Sequence, residues 1–205
     1  MPFRAVQTNP RASLGAIPAR YLPVGVSQTG DLPSDETPST ISPFFGPEST
    51  VKALREAVLG PRGERSVVVY KVTENVVRSL RPKDYLGEIL AVRYFLASRV
   101  RYKNDPLATE LVSDPQRMME EILKTGRAIG DCDDIAGLGA TMLRQLGRET
   151  EWITVGFQPG GTHSHIFSRV REPKTRNWIV VDPVAGVSEQ QMLSRVKTWK
   201  SWRID

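Results

Sequence analysis

The chain has 205 residues, 40% of them hydrophobic and 25% charged, with a formal net charge of +5. This composition predicts one globular domain with an appendage, and the basic residues are too mixed with acids for a specific nucleic-acid-binding surface. No stretch reaches the roughly 18 apolar residues of a membrane span, and the start lacks the apolar region of a secretory signal. A single cysteine cannot form an internal disulfide, so we expect a reducing, cytoplasmic location.

Residues 1–47 contain eight of the fifteen prolines and show little apolar periodicity. Such a segment cannot form a core of its own, so we predict an extended arm at 1–47 and a domain at 48–205. The aromatic pair at 44–45 is a candidate anchor to that domain. Because an arm of this kind is ordered only when something holds it, we expect few contacts with its own domain and ordering by neighbouring subunits.

Apolar residues at helical spacing predict four helices between residues 48 and 126. The first is capped by Ser49 or Thr50, and the third by Asp84. The second overlaps residues 66–70, a run that is also compatible with a strand. The fourth opens at Asp114, before a proline. The residues expected to face the core are Val51, Leu54, Val58, Val69, Val72, Val76, Leu80, Leu86, Ile89, Val92, Leu96, Val100, Met118, Ile122 and Leu123.

A fifth helix begins near Cys132 and ends at Gly147, and beyond it the apolar residues change from helical spacing to a period of two. This change predicts strands over 151–157, 164–170 and 177–181. Residues 188–202 show helical spacing again and predict a final helix with Met192, Val196 and Trp199 facing inward. Helices followed by an antiparallel sheet indicate an α+β fold.

Cys132 is the only cysteine, and it follows Asp131, a good helix N-cap, with Asp134 placed like the acid of a capping box. A helix N-terminus and a neighbouring imidazole both lower the pKa of a thiol, and the free backbone N–H groups can hold an oxyanion. The carboxylates of Asp133 and Asp134 oppose that lowering, so the imidazole would supply most of the activation. The plain alternative is a small buried cysteine without chemistry.

The two histidines, His163 and His165, lie on the predicted strand that follows a Gly-Gly turn at 160–161. Strand alternation places both side chains on one face. His165 lies deeper in the strand, which favours it as the fixed and partly buried ring. Asp182 closes the next strand before a proline. Cysteine, histidine and aspartate in this order indicate a thiol acyl-transfer site, with a turn-forming aspartate and a core histidine as the alternatives.

We predict neither a metal nor a cofactor. The acids around Cys132 match no zinc ligand spacing and no calcium-loop motif. The glycines at 160–161 lead into a strand rather than a helix, so they indicate a hairpin turn and not a phosphate-binding loop.

Three motifs in order resemble the transglutaminase-like superfamily of papain-like thiol enzymes. They are Gly-Asp-Cys-Asp-Asp-Ile-Ala at 130–136, His-Ile-Phe at 165–167 and Trp-Ile-Val-Val-Asp-Pro at 178–183. The resemblance covers residues 84–186, and the whole chain is similar to versions carried by tailed phages. It implies that Cys132 is the nucleophile, that His165 is the general base and acid, and that Asp182 orients the imidazole.

The family resemblance implies attack on a peptide or carboxamide bond, followed by hydrolysis or by transfer to an amine in a cross-linking reaction. The alternative is a phage virion or assembly protein that uses the fold and arm as a scaffold, with a vestigial triad. The expected partners are a protein substrate or neighbouring subunits, in a homo-oligomer or a virion. If the chain is phage-encoded, the expected location is the virion instead of the cytoplasm.

Overall fold

The structure is a computed structural model that describes residues 39–41, 46–104, 110–159, 162–183 and 193–205. The helices are α1 (Pro47–Leu59), α2 (Val67–Val77), α3 (Tyr85–Arg99), α4 (Pro115–Thr125) and α5 (Cys132–Gln145). The strands are β1 (Ser39–Ile41), β2 (Val100–Tyr102), β3 (Glu110–Val112), β4 (Ala128–Gly130), β5 (Thr150–Gly156), β6 (His165–Arg171), β7 (Trp178–Val181) and β8 (Thr198–Arg203). The predicted α+β order, helices first and an antiparallel sheet second, is confirmed.

The main sheet has the strand order β7-β6-β5-β8, and all of its neighbouring strands are antiparallel. Two small pairs lie outside it: β2 runs parallel to β4, and β1 runs antiparallel to β3. No helix in the described ranges is both long and apolar enough to cross a membrane. The β2–β4 pair matters for the site, because it delivers the chain to the first residue of α5.

Short polar side chains cap α2, α3 and α4, and the caps of α3 and α4 are those that the sequence predicts. Asp84 accepts a hydrogen bond from the Gly87 N–H at 3.0 Å, and Asp114 accepts one from the Arg117 N–H at 2.8 Å. The ambiguous segment at 66–70 is helical, because the Ser66 hydroxyl accepts from the Val69 N–H and starts α2. Left-handed Gly147 follows the end of α5, as predicted.

The predicted cap of α1 is wrong. The helix begins at Pro47, and its N-cap is Gly46, with a positive φ of 69° and no side-chain cap. Ser49 lies in the first turn instead, where its hydroxyl donates to the Gly46 carbonyl at 2.9 Å. Proline at the first helical position has no N–H to satisfy and a preset φ, which explains the earlier start.

Helix α5 is the centre of the core, because it is buried on both sides. One side carries Leu138 and Met142 into a cluster with α2, α3 and α4. The other side carries Ala136 into a cluster with α1 and the sheet. Two side chains of the sheet, Trp152 Nε1 and Ser168 Oγ, donate to the carbonyl of Ala136 at 3.3 and 2.8 Å. The start of α5 is thereby held against β5 and β6.

The predicted final helix is wrong over residues 198–202. These residues belong to β8, which pairs antiparallel with β5, and Trp199 is 61% exposed rather than buried. Residues 184–192, Met192 among them, lie outside the described residues. The edge of β5 offers backbone hydrogen-bond partners to these residues, and local helical spacing does not reveal such a partner. Leu86, also predicted to be buried, is 47% exposed.

Most of the predicted arm lies outside the described residues, including the aromatic pair at 44–45. Ser39–Ile41 forms β1, which pairs with β3, so this piece contacts its own domain. The ordering of the remaining arm by neighbouring subunits stays a prediction.

Candidate active site

Cys132 is the first residue of α5, and β4 leads directly into it through Gly130 and Asp131. The Asp131 side chain accepts from the Asp133 N–H at 3.3 Å and so caps the helix. A Cβ on Gly130 would lie 2.7 Å from the Asp134 side chain, so only glycine allows this close approach of strand and helix. The thiol is half-buried at the helix N-terminus, as the sequence predicts.

His165 and Asp182 form the second part of the site. His165 is the first residue of β6 and Asp182 follows the end of β7, on neighbouring strands of the sheet. The His165 Nε2 atom lies 2.7 Å from Asp182 Oδ2, and their side chains are only 11% and 6% exposed. A carboxylate only accepts, so Nε2 carries the proton and Nδ1 is left as the basic nitrogen. The rings of Phe157 and Phe167 lie beside the imidazole at 6.4 and 6.0 Å.

Cys132 and His165 line the same cavity, which has a volume of about 360 Å³. Four parts of the fold enclose it: the start of α1, the end of β2, the start of α5 and the β5–β6 hairpin. Its lining residues are Gly46, Pro47, Thr50, Tyr102, Asn104, Asp131, Cys132, Asp133, Thr154, Thr162, His163, Ser164, His165 and Ile166.

A backbone contact ties the thiol to the strand that carries the imidazole. The N–H of Ile166 hydrogen-bonds the sulfur of Cys132. Ile166 directly follows His165 in β6. The first residue of α5 and the second residue of β6 are therefore in contact, and the predicted nucleophile, base and orienting acid lie in one region of the molecule.

His163 has a different environment. It precedes the start of β6, so the alternation argument does not apply to it, although it also lines the cavity. Its Nδ1 lies 2.8 Å from the hydroxyl oxygen of Thr154, and the same oxygen accepts from Trp202 Nε1 at 2.8 Å. The Thr154 hydroxyl is then free to donate its proton to His163. His163 thus belongs to a chain of hydrogen bonds with β5 and β8, whereas the bond to Asp182 belongs to His165.

The sequence model of the transglutaminase-like superfamily matches residues 71–183, more than half of the chain. The chain belongs to the transglutaminase-like superfamily. The matched segment contains Cys132, His165 and Asp182 and extends from α2 to the end of β7. The predicted family is therefore confirmed, and the fold is a transglutaminase-like fold.

A solved structure shares this transglutaminase-like fold. It is the crystal structure of a "putative protease" from Parabacteroides distasonis, with a TM-score of 0.50 and 16% sequence identity over 75% of this chain. The chain spans 29% of that protein's length. No curated protein matches the sequence. At this identity the likeness concerns the fold.

The pKa of the Cys132 thiol is not lowered, in contrast to the prediction from the sequence. Burial, followed by the charges of Asp131 and Asp133, raises the pKa of Cys132 above that of an ordinary thiol. The hydrogen bond from the Ile166 N–H acts in the opposite direction but is outweighed. Burial, with the nearby Cys132 and Asp131 charges, also raises the pKa of Tyr102 to about 12. At neutral pH the free site therefore holds a protonated thiol and a neutral phenol.

This direction predicts the pH dependence of Cys132 alkylation. Iodoacetamide reacts with the thiolate, and a raised pKa moves thiolate formation to higher pH. We expect the alkylation rate to keep rising above about pH 9, where an ordinary thiol approaches its plateau. The measurement is the labelling rate of Cys132 from pH 6 to 11, with N-acetylcysteine as the reference thiol. A plateau below neutral pH would instead show a thiolate–imidazolium pair with His165.

Several side chains of the candidate site were not predicted from the sequence. Thr154 is a buried residue of β5, and Trp202 lies on a strand that was predicted as a helix. Tyr102, the last residue of β2, and Asn104, which follows it, also line the cavity and were not predicted. No signal in the sequence singles out Thr154 or Trp202, because the pairing of β5 with β8 brings them together. For Tyr102, the aromatic residue type was the signal in the sequence that could have identified it as a site residue.

Proposed function

We propose that this transglutaminase-like domain is a cysteine peptidase or amidase that cleaves a peptide or carboxamide bond through an acyl-enzyme on Cys132. The observation that carries the proposal is the shared cavity of Cys132 and His165, with Asp182 bonded to the far nitrogen of the imidazole. The protease name given to the protein with the similar fold supports hydrolysis over cross-linking.

In the first half-reaction the sulfur of Cys132 forms a bond to the carbonyl carbon, and the thiol proton passes to His165 Nδ1. A thiol with a raised pKa is not ionised beforehand, so His165 must act as general base during the attack. The C–N bond then breaks, and the leaving amine takes the proton from the imidazolium. Asp182 holds the imidazole by its Nε2–H throughout and stabilises the imidazolium.

In the second half-reaction water attacks the thioester, and His165 removes the proton of the water. The carboxylate product leaves, and the proton returns to the sulfur of Cys132. If an amine takes the place of water, the same steps give a new amide bond. Hydrolysis and amine transfer therefore differ only in the acceptor.

The oxyanion needs hydrogen-bond donors near Cys132. In the first turn of α5, the N–H groups of Asp133 and Asp134 donate to carboxylate oxygens. This leaves the Cys132 N–H as the first-turn donor for the oxyanion. We assign the neutral phenol of Tyr102 as the second donor. Tyr102 lines the cavity, and the charge of Cys132 contributes to its raised pKa.

The experiment is to incubate the full chain with a peptide mixture from a digested proteome and to search for new amino termini by mass spectrometry. Dansylcadaverine is added in a parallel sample to detect amine transfer. Acid quenching preserves the thioester, so the acyl group on Cys132 is measured directly. The Cys132→Ala variant is the control. New termini and an acyl-enzyme in the wild type alone support the proposal, whereas identical results for both proteins contradict it.

Replacing Tyr102 with Phe tests the second oxyanion donor. We expect kcat to fall by roughly 10²-fold with little change in KM, because the donor acts on charge that develops in the transition state. Steady-state kinetics on a peptide found in the screen measure the effect. Tyr70→Phe, at an exposed position of α2, is the matched control and should leave kcat unchanged. An unaltered kcat in Tyr102→Phe would exclude the phenol as a donor.

A further inference from the structure

The parallel pair of β2 and β4 presents an exposed face that carries three cations. Arg101 and Ile129 are opposite each other in the register, and both side chains are exposed. The ladder continues to Lys103, whose N–H donates to the Gly130 carbonyl at 3.0 Å. Lys103 and Arg127 lie two positions from Arg101 and Ile129, respectively, so strand alternation places them on the same face. We refer to these four residues as the basic face: Arg101, Lys103, Arg127 and Ile129.

The charges of the basic face are not compensated within the described part of the chain. Its three cations are exposed, and none of them forms an ion pair there. The acid that follows β4 is Asp131, whose carboxylate accepts from the Asp133 N–H at 3.3 Å and caps α5 instead. Neighbouring like charges on a strand pair repel one another. The basic face therefore attracts a partner with negative charge.

The amino-acid sequence does not reveal this surface, because the basic residues of the two strands are separated by a segment that contains several acids. Two of those acids, Asp114 and Glu120, form ion pairs with Arg62. The pairing of β2 with β4 then brings the cations of the two strands together. Charges that are mixed along the chain are thus sorted by the fold.

The basic face is continuous with the cavity of the candidate active site. Tyr102 lies between two of the cations in the sequence, and both Tyr102 and Asn104 line the cavity. On the other strand, Ile129 is three positions before Cys132, so their Cα atoms are at most about 11 Å apart. An extended peptide advances about 3.3 Å per residue. A peptide chain that is bound at Cys132 therefore reaches the basic face within about three to five residues.

We propose that the basic face binds an acidic segment of the protein substrate, about three to five residues from the cleaved bond. This inference rests on the proposed peptidase function and names the substrate class for it. Carboxylates of the segment pair with the three cations, and an apolar side chain between them packs on Ile129, which is 51% exposed. An apolar side chain at the centre of the face fits a peptide better than a nucleic-acid backbone, which offers phosphate and sugar groups.

The test measures peptide binding by the full chain with the substitution Cys132→Ala, which prevents cleavage. The probe is a rhodamine-labelled octapeptide of Glu and Ser with one central Leu, and the reference octapeptide has Lys in place of Glu. Fluorescence anisotropy gives both affinities. We expect the acidic peptide to bind at least about tenfold more tightly at low salt, and this preference to shrink at about 0.5 M NaCl, because salt screens exposed charges.

Variants of the basic face are then made in the same Cys132→Ala background. Neutralising all three cations by Arg101→Gln, Lys103→Gln and Arg127→Gln should weaken binding of the acidic peptide by about tenfold, because each exposed ion pair contributes about a two- to fivefold gain in affinity. Ile129→Thr keeps a β-branched side chain but removes a methyl group, so we expect about a two- to fivefold loss. Circular dichroism checks that these surface variants fold.

The matched control removes three other positive charges. Lys71→Gln, Arg78→Gln and Arg81→Gln lie on α2 and directly after it, outside the cavity lining, and they change the net charge by the same amount. This control should bind the acidic peptide as tightly as the Cys132→Ala parent does. An equal loss in both triple variants would show a net-charge effect alone and would overturn the proposal.

Two further results would also overturn the acidic-peptide site. One is equal affinity for the acidic peptide and its lysine counterpart. The other is tighter binding of a single-stranded oligo-thymidylate, which would make the basic face a polynucleotide surface. Because binding is measured without cleavage, its failure leaves the acyl-transfer chemistry of Cys132 untouched. In the wild type, acids should be enriched about three to five residues from the new termini, and cleavage without that enrichment would overturn the substrate class but not the peptidase activity.

Discussion

Replacing His165 with Ala is expected to slow both the alkylation of Cys132 at neutral pH and any peptide cleavage by about 10²- to 10⁴-fold. The thiol has a raised pKa, so its proton must be removed by a base during the reaction. His165 is the histidine whose Nε2 is fixed by Asp182 and whose ring shares the cavity with Cys132. Iodoacetamide labelling at pH 7 and a cleavage assay measure the loss.

The matched control is His163→Ala, which removes the other histidine of the cavity. His163 bonds to Thr154, which also accepts from Trp202, so its loss should cost about 1 kcal/mol of stability and leave most of the reactivity. Circular dichroism checks that both variants fold. A large loss in His163→Ala and a small one in His165→Ala would make His163 the base. Unchanged labelling in both would favour a scaffold role for the domain.

Replacing Trp152 with Ala is expected to lower the free energy of unfolding by about 3–5 kcal/mol. Trp152 is completely buried in the cluster between α1, α5 and the sheet, and its Nε1 donates to the Ala136 carbonyl. The substitution removes a large apolar side chain and a contact that holds α5 on β5. Urea denaturation followed by circular dichroism measures the change.

Trp152→Phe separates the two contributions. It keeps most of the ring and removes the N–H, so we expect a loss of about 1 kcal/mol from the hydrogen bond and a small additional packing loss. If Trp152→Ala costs less than Trp152→Phe, then the cluster around α5 does not depend on this side chain. The activity of Trp152→Phe at low temperature should stay near that of the wild type, because Cys132 and His165 remain in place.

The helices could be predicted wherever a local signal decides them. Asp84, Asp114 and Asp131 cap their own helices, and the helical spacing in α4 is kept in the fold because one face of that helix is buried. The failures have non-local causes. Residues 198–203 form β8 because the edge of β5 is available to them, and that edge is more than forty residues earlier in the chain. Leu86 has helical spacing, but no element among the described residues covers it, and its side chain is 47% exposed.

The candidate site was also predictable from local signals only in part. Cys132, His165 and Asp182 could be proposed from residue type and order, because one cysteine and two histidines leave few choices. His165 was favoured from the sequence, and its bond to the Asp182 carboxylate is visible only in the structure. The direction in which the pKa of Cys132 is shifted also could not be predicted from the sequence. Burial outweighs the hydrogen bond from the Ile166 N–H there, and burial depends on the packing of α5 against β6.

The hairpin of β6 and β7 also bears on the order in which the site assembles. His165 and Asp182 are 17 positions apart and lie on adjacent strands, so closing one short loop brings the imidazole and the carboxylate together. Cys132 joins them only when α5 docks on the sheet through the Ala136 carbonyl. We therefore expect the histidine–aspartate pair to form early in folding and the thiol to arrive later, with α5. Pulsed hydrogen exchange would show this as protection of β6 and β7 amides before those of α5, and the opposite order would place the docking of the helix first.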